Sequence, residues 1–470
     1  MIVAADGIRR ALHAAADCPL LVDTRGDRRT GHSLAERIGR VAGELARRGL
    51  RRRRIGVWYE NSLAAFEAFL AVEWLGGTRI PVDPGVPASE ARAVFEAAEV
   101  DAVLADCGRA GLLGGDVLVH DDESPLSGPL WSDEVRVPPE TALVVYPRAV
   151  SGGQLFGVAT SYRNWTAIMD INRSLFHTGR YGTPFGDDEC FLTVQQLMHG
   201  TGMVGSFPFL LMGLPQVVLP RFDPDAMLEV VSRHRVTATF TVPGMLSRLA
   251  DLLQKTGQSG RFPLRHTLYG GAPIDTAEIR RLLRLLGPSL VQLYGRFEAG
   301  WPLAVLDHDD HAAILAGDDE VGSSCGRPVP EVELRFRPLP GGSDGWGELR
   351  TRNGMVAQDY SDPDGWCSLG DVASIDHRGY LRLAGRLDRM INTGSYHVYP
   401  EEVEEAIVAV PGVKAVRVTG EPDPVWGQVV TAYLVAEETD DIVATVRGVL
   451  LGRLAKYKVP KVMKVVDRLD

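Results

Sequence analysis

Short apolar strands alternate with amphipathic helices along most of this 470-residue chain, and that alternation most restricts the folds open to it. Ser33 and Glu36 have the spacing of a capping box, and Leu34, Ile38, Val41 and Leu45 then recur on one helical face. Ile55-Gly56-Val57-Trp58 and Leu143-Val144-Val145-Tyr146 read as short buried strands. From Val236 to Val242 apolar residues alternate with threonines, which predicts a half-buried strand with its apolar side chains on one face. The pattern predicts layered α/β architecture, in a chain long enough for two or three compact units.

A boundary falls near Asp388. Before it, residues 338–345 concentrate proline, glycine and short polar residues, and closely spaced strands from Gly347 predict a small sheet. After it, Arg389 to Gly394 reads as a turn, and Pro400 opens a helix with Glu401, Glu402 and Glu404 near the positive end of its dipole. Strands at Ala415 to Val418 and Val429 to Val435 and a helix at Ile442 to Leu454 complete a compact module.

Composition narrows the partners. With 45% apolar and 24% charged residues and a net charge of -11 spread along the chain, there is no basic face for DNA or RNA. The run Arg51 to Arg54 follows a helix and reads as its solvated end. Five cysteines lack metal-type or CxxC spacing, so reduced core thiols are expected. No apolar run reaches bilayer length, so the expected setting is cytoplasmic, without membrane or nucleic-acid partners.

An ordered set of motifs then points to a family. They run from Leu75-Gly76-Gly77-Thr78-Arg79-Ile80-Pro81-Val82-Asp83-Pro84 through Met198-His199-Gly200-Thr201-Gly202, Tyr269-Gly270-Gly271-Ala272-Pro273 and Tyr294-Gly295-Arg296-Phe297-Glu298. Gly370-Asp371, Gly385-Arg386-Leu387-Asp388 and the stretch from Ile391 to Glu404 follow. In this order the chain resembles the acyl-adenylating (AMP-binding) superfamily, on its acyl-CoA synthetase and adenylation-domain branch. The resemblance implies a large layered α/β N-terminal domain over residues 1–387 and a small mobile α+β C-terminal domain over 388–470, joined at a hinge, Asp388. It further implies transfer of a small-molecule carboxylate to AMP and then to the thiol of CoA or of a phosphopantetheine-bearing acyl or peptidyl carrier protein.

For the adenosine half the residue chemistry agrees with the resemblance. A carboxylate accepts both ribose hydroxyls, which suits Asp371, and Arg386 reaches the same oxygens. Gly271, Ala272 and Pro273 lack bulk where an adenine would lie, and Tyr294 offers a ring face. Glu298 matches the family's magnesium ligand, and an oxygen donor suits that hard cation. His199 matches a residue gating the carboxylate or serving as a base, and Gly394 a glycine lining the thiol tunnel.

The phosphate half departs from the pattern. Where a glycine- and hydroxyl-rich loop ending in Pro-Lys-Gly is expected, the chain carries Arg148, Ser151, Gly152 and Gly153 among bulky residues, with Pro147 offering no N–H. The expectation is a loop that packs Leu155 and Phe156. Phe297 stands where a threonine hydroxyl would meet phosphate. The small domain is expected to be cut short, because the chain ends at Asp470 ahead of the family's Pro-Lys-x-x-x-Gly-Lys segment. Lys456, Lys458, Lys461 and Lys464 lack that spacing and read as solvated charges. Charge-assisted hydrogen bonds contribute roughly 1.5 to 3 kcal/mol each, and cations on a phosphoryl-transfer transition state about 10³ to 10⁵ in rate. Adenylation with ATP and Mg2+ is therefore expected to be impaired.

Three functions stay open on the sequence: an acid-thiol ligase with weakened adenylation, an ATP-independent acyl transfer or condensation on a CoA or carrier-protein thioester, and a non-catalytic binding protein on the same fold.

Overall fold

The computed structural model describes residues 1–469 apart from 116, 152, 261, 339–344, 388–390, 395, 399 and 437–440, and only the backbone of 384–386, 397, 401 and 405. Among these residues two large sheets build the N-terminal domain. One has six strands in the order Gln154–Ser161, Ala142–Ser151, Thr78–Pro81, Arg54–Trp58, Ala102–Ala105 and Val117–Val119. Its first pair is antiparallel and the rest are parallel. The other has nine strands, parallel from Leu290–Arg296 through His266–Gly270, Ala238–Thr241, Phe191–Thr193 and Gln216–Val218 to Pro19–Asp23, with antiparallel strands at its edges.

Parallel strands need crossovers, and the helices that supply them cover the sheets. Two of these helices are apolar on every side and so lie inside the molecule. Leu63–Trp74 is buried along its whole length, and Gly200–Leu211 is buried from Gly202 to Leu210. They meet through the stacked rings of Phe66 and Phe207, 6.0 Å apart. Glycines in the helix Gly31–Arg47 admit close approach, since a Cβ on Gly43 would lie 1.6 Å from the Pro129 carbonyl oxygen.

A four-stranded antiparallel sheet, Glu333–Pro338, Gly347–Arg352, Cys367–Ile375 and Leu381–Arg386, extends this domain. The small C-terminal domain wraps the helices Pro400–Val408 and Ile442–Arg453 on a five-stranded sheet with its own core of Val403, Ile407, Val418, Leu434 and Val446. The mixed α/β class, with a large and a small domain, is as the sequence predicts. Asp388, the expected hinge, lies outside the described residues. Among the described residues, no helix is long and apolar enough to cross a membrane.

Four local expectations are corrected. The first helix with a capping box starts at Thr30, whose hydroxyl takes the Ser33 N–H while Ser33 returns the bond, so Ser33 sits at the third helical position and not at the cap. Ala238–Thr241 is wholly buried and not half-buried, because it lies in mid-sheet with both faces covered, and Thr239 is satisfied by donating to the Leu192 carbonyl at 2.9 Å. The segment expected as a packing loop is a hairpin of Ala142–Ser151 and Gln154–Ser161; Leu155 packs but Phe156 is half exposed. Within residues 389–394, expected as a turn, Ile391–Thr393 is a strand that pairs with Tyr396–Val398, while 389 and 390 lie outside the described residues.

Candidate active site

Between the two domains lies a cavity of about 560 Å³. The nine-stranded sheet supplies one wall through the ends of His266–Gly270 and Leu290–Arg296, the position where open α/β sheets place ligands. Gly270 to Ile274, Gln292 to Phe297 and Asp371 all line it. The opposing side carries Met198 to Thr201 and Tyr146 to Arg148, and the small domain adds Asn392, Tyr396 and Tyr457.

The adenosine residues predicted from sequence converge here. Gly271 has φ 82°, which an L side chain rarely adopts, and Ala272 follows with only a methyl group. Asp371 is 6% exposed and accepts a 2.7 Å hydrogen bond from the Tyr294 hydroxyl. Burial and the neighbouring Asp371 carboxylate keep that phenol protonated well above its usual range, so it stays a donor. A glycine-lined cradle beside a buried carboxylate fits an adenosine with its ribose at Asp371. The backbone of Arg386 pairs with Asp371 in the sheet; its side chain lies outside the description.

The phosphate end is built differently. Arg148, on the hairpin strand, places Nη2 2.8 Å from one oxygen of Glu298, and Arg296 places Nη2 2.9 Å from the other. All three side chains are about nine-tenths buried. A metal ion on Glu298 would have to displace a guanidinium, so this arrangement does not fit the magnesium role that the resemblance implies. Phe297 fills the adjacent space: its ring stands edge-on to Tyr146 at 4.2 Å, and a Cβ on Gly200 would fall 2.2 Å from it. Further along the hairpin, the Val150 backbone faces the small domain's Glu402 and adds a small pull that lowers its carboxyl. Gly153 forms the hairpin turn with φ 77°, Ser151 ends the first strand, and Gly152 is outside the described residues.

His199 caps the buried helix Gly200–Leu211, with Nε2 3.6 Å from the Asp83 carboxylate and its ring edge-on to Tyr396 at 5.2 Å. Burial pushes the Asp83 carboxyl up, but the His199 ring, the Gly85 N–H and Lys458 outweigh it and hold it below the ordinary range. Tyr396 in turn stacks on Tyr457 at 3.9 Å. Gly394 turns the small-domain hairpin with φ 62° and lies against Trp426, where a Cβ would meet the indole at 3.0 Å. Among the described residues no group of histidine, cysteine and carboxylate side chains is arranged to hold a metal.

Several site residues escape the sequence reading. Lys458, read there as solvated, is 5% exposed and bonds Glu402 at 2.9 Å and Glu90, from the large domain, at 2.7 Å. Arg296 and Asp83 sit inside quoted motifs, yet Asp83 pairs with His199, far along the chain, and the guanidinium that shares Glu298 with Arg296 comes from the distant Arg148. Trp301 lies three residues past Glu298, with only its place on an apolar strand as a signal.

The family model described as "AMP-binding enzyme" matches residues 8–361, and that of its C-terminal domain matches residues 402–470. The chain belongs to this family of adenylate-forming enzymes, whose members bind ATP or AMP and CoA. It is 32% identical to a feruloyl-CoA synthase of an Amycolatopsis species, over 93% of this chain and 89% of that protein. It is 27% identical to a 2-succinylbenzoate–CoA ligase of Listeria monocytogenes serotype 4b, over 94% and 91%. The structure resembles the amide bond synthetase McbA of Marinactinospora thermotolerans with a TM-score of 0.83, at 27% identity over 99% of this chain and 96% of that one.

Proposed function

We propose that this chain performs acyl transfer of the acid-thiol ligase type on an aromatic carboxylic acid, with adenosine binding retained and ATP-dependent adenylation slow. The observation that carries this reading is the pair of guanidiniums on the Glu298 carboxylate, beside an intact cradle of Gly271, Ala272, Tyr294 and Asp371. Relatives named for feruloyl and 2-succinylbenzoate substrates support an aromatic acid, as do the rings of Tyr146, Phe297 and Trp301 in the cavity wall.

In the transfer step the thiol sulfur of CoA, or of a carrier protein's phosphopantetheine, attacks the acyl carbon. The bond from that carbon to its leaving group breaks, and the leaving group departs with the electron pair as AMP or as a second thiolate. His199, held by Asp83 beside Tyr396, takes the thiol proton. The docked small domain, which turns Asn392, Tyr396 and Tyr457 to the cavity, favours a preformed thioester as the acyl donor over an adenylate made in place. The reaction is soluble chemistry without nucleic acid.

Calorimetry separates the two halves of the site. AMP is expected to bind with an affinity independent of Mg2+, and ATP to bind more weakly and to release pyrophosphate about 10³-fold or more below an ordinary ligase rate. Pyrophosphate release at a normal ligase turnover, dependent on Mg2+, overturns the proposal.

A further inference from the structure

Behind the cavity wall, four groups stand in a single file of polar contacts. The Asp307 carbonyl lies 2.7 Å from His311 Nδ1, His311 Nε2 lies 2.9 Å from the Tyr269 hydroxyl, and that hydroxyl lies 3.1 Å from the side-chain amide of Gln292. Tyr269 is 0% and His311 1% exposed, and of the four residues Gln292 alone lines the cavity. Gln292 faces Tyr269 across neighbouring parallel strands and shares a strand face with Tyr294, two residues on. One end of its amide meets Tyr269. The other end bonds no protein group among the described residues and is not among the sealed polar atoms, so a ligand in the cavity can reach it.

The file has a proton order. A carbonyl only accepts, so His311 Nδ1 carries a hydrogen. Burial pushes the His311 ring down to about 4, against the pull of the Asp307 carbonyl, so at neutral pH the ring is uncharged and its Nε2 is bare. A bare Nε2 takes the one proton of the Tyr269 hydroxyl, which burial keeps on the phenol far above its usual range. The Tyr269 oxygen then has only lone pairs for Gln292, and the amide answers with its NH2 end. With Oε1 beside Tyr269 instead, one proton would have to serve two acceptors, at 2.9 and 3.1 Å. The two ends of an amide are almost alike in size, so hydrogen-bond order decides which of them faces Tyr269. The end left for the cavity is Oε1, an acceptor.

We propose that His311 and Tyr269 are positioning residues that never touch the ligand and act through Gln292. They turn its Oε1 to the cavity, so that the site takes a purine nucleotide with an amino group at that edge and refuses one with an oxo group. The proposal rests on the reading of this cavity as a nucleoside site. It adds the source of selectivity for the base: an oxo group sets oxygen against oxygen, and Gln292 cannot turn to answer it without breaking the order behind it.

Calorimetric titration with AMP and with IMP, without acid or thiol, tests this apart from any chemical step. Wild-type protein is expected to favour AMP about tenfold or more. Tyr269→Phe removes the hydroxyl and frees the amide to turn, and is expected to bring the two nucleotides within about threefold of each other, chiefly by tighter binding of IMP. His311→Phe returns the Tyr269 proton to Gln292, turns the NH2 end to the cavity, and is expected to invert the preference. A merely structural role would weaken both nucleotides together and leave their ratio unchanged. Equal binding by wild-type protein, which needs no variant, overturns the proposal, and so does a ratio that either folded variant leaves as it was. In both cases the cavity remains a nucleoside site. Failure of both nucleotides to bind wild-type protein overturns that reading as well.

Discussion

Two buried charge clusters invert each other. At the cavity, one carboxylate, Glu298, is bracketed by two guanidiniums; at the domain interface, one ammonium, Lys458, is bracketed by two carboxylates. One strand runs past both, because Ala142–Ser151 sends Arg148 to the first and brings the Val150 backbone near the second. A segment that cradles phosphate must leave its backbone donors and cations uncommitted. Here the segment's cation, Arg148, is committed to a protein carboxylate. Asp371, expected to meet the ribose, instead lines the open cavity.

The interface cluster is the larger lever. Lys458→Met leaves Glu90 and Glu402 buried without their cation, and breaking a buried pair in this way costs about 3 to 5 kcal/mol. The expected result is undocking of the small domain, seen as a larger radius of gyration and faster proteolysis, with the melting of the large domain little changed. An unaltered radius breaks the comparison. The pH dependence has a definite sign. Burial, against the pull of Lys458, raises the Glu402 carboxyl above its usual range, so its proton favours docking at low pH and that contribution is lost as pH rises through the raised value. Lys458 is raised too: burial lowers it, but Tyr457, Glu402 and Glu90 outweigh burial. Its contribution is complete below the ordinary lysine range and lost only at strongly alkaline pH, where docking is expected to loosen.

Asp371→Ala probes the proposed adenosine side. Removing a carboxylate that accepts the ribose hydroxyls forfeits roughly 1.5 to 3 kcal/mol, about 10- to 100-fold in AMP affinity. The loss is expected to shrink for 2′-deoxy-AMP, which calorimetry reads directly; an equal loss for both nucleotides places the ribose elsewhere. Arg148→Ala probes the altered side. Releasing one Glu298 oxygen is expected to give ATP binding a dependence on Mg2+, with a gain of about tenfold when the ion is added. AMP binding stays unchanged, and ATP binding that still ignores Mg2+ argues that Glu298 holds no metal even when free.

These contrasts explain what the sequence disclosed. The cavity wall proposed to hold adenosine was legible as motifs because its residues are local runs, Gly270 to Pro273 and Tyr294 to Gly295, which the structure brings to one cavity. The layered fold was legible for a similar reason, since strand and helix periodicities are local. The charge clusters were not: Arg148 and Glu298 are 150 residues apart, and Lys458 and Glu90 are 368 apart. The same spacing that made Lys458 look solvated conceals a cation that closes the gap between domains. Misread turns had another cause. Residues 391–394 contain glycine and short polar side chains, which suit a hairpin as well as an irregular turn, and pairing of Thr393 with Gly427 and the strand it opens decides between them.

The smallest effect is expected where the two domains share only ring contacts. Tyr396 stacks on Tyr457 at 3.9 Å with an interplanar angle of 19° and meets His199 edge-on. Such aromatic pairs contribute about 0.5 to 1.5 kcal/mol beyond their buried area. Tyr396→Leu keeps an apolar side chain at the cavity rim but frees the His199 ring to turn away from Asp83. AMP affinity is expected to hold, because the ring partners of Tyr396 are His199 and Tyr457, while acyl transfer to the thiol falls several-fold. Rapid-quench measurement of transfer from a supplied acyl thioester checks this. A matching drop in AMP affinity would instead mean that the stack supports the whole cavity and not the thiol side alone.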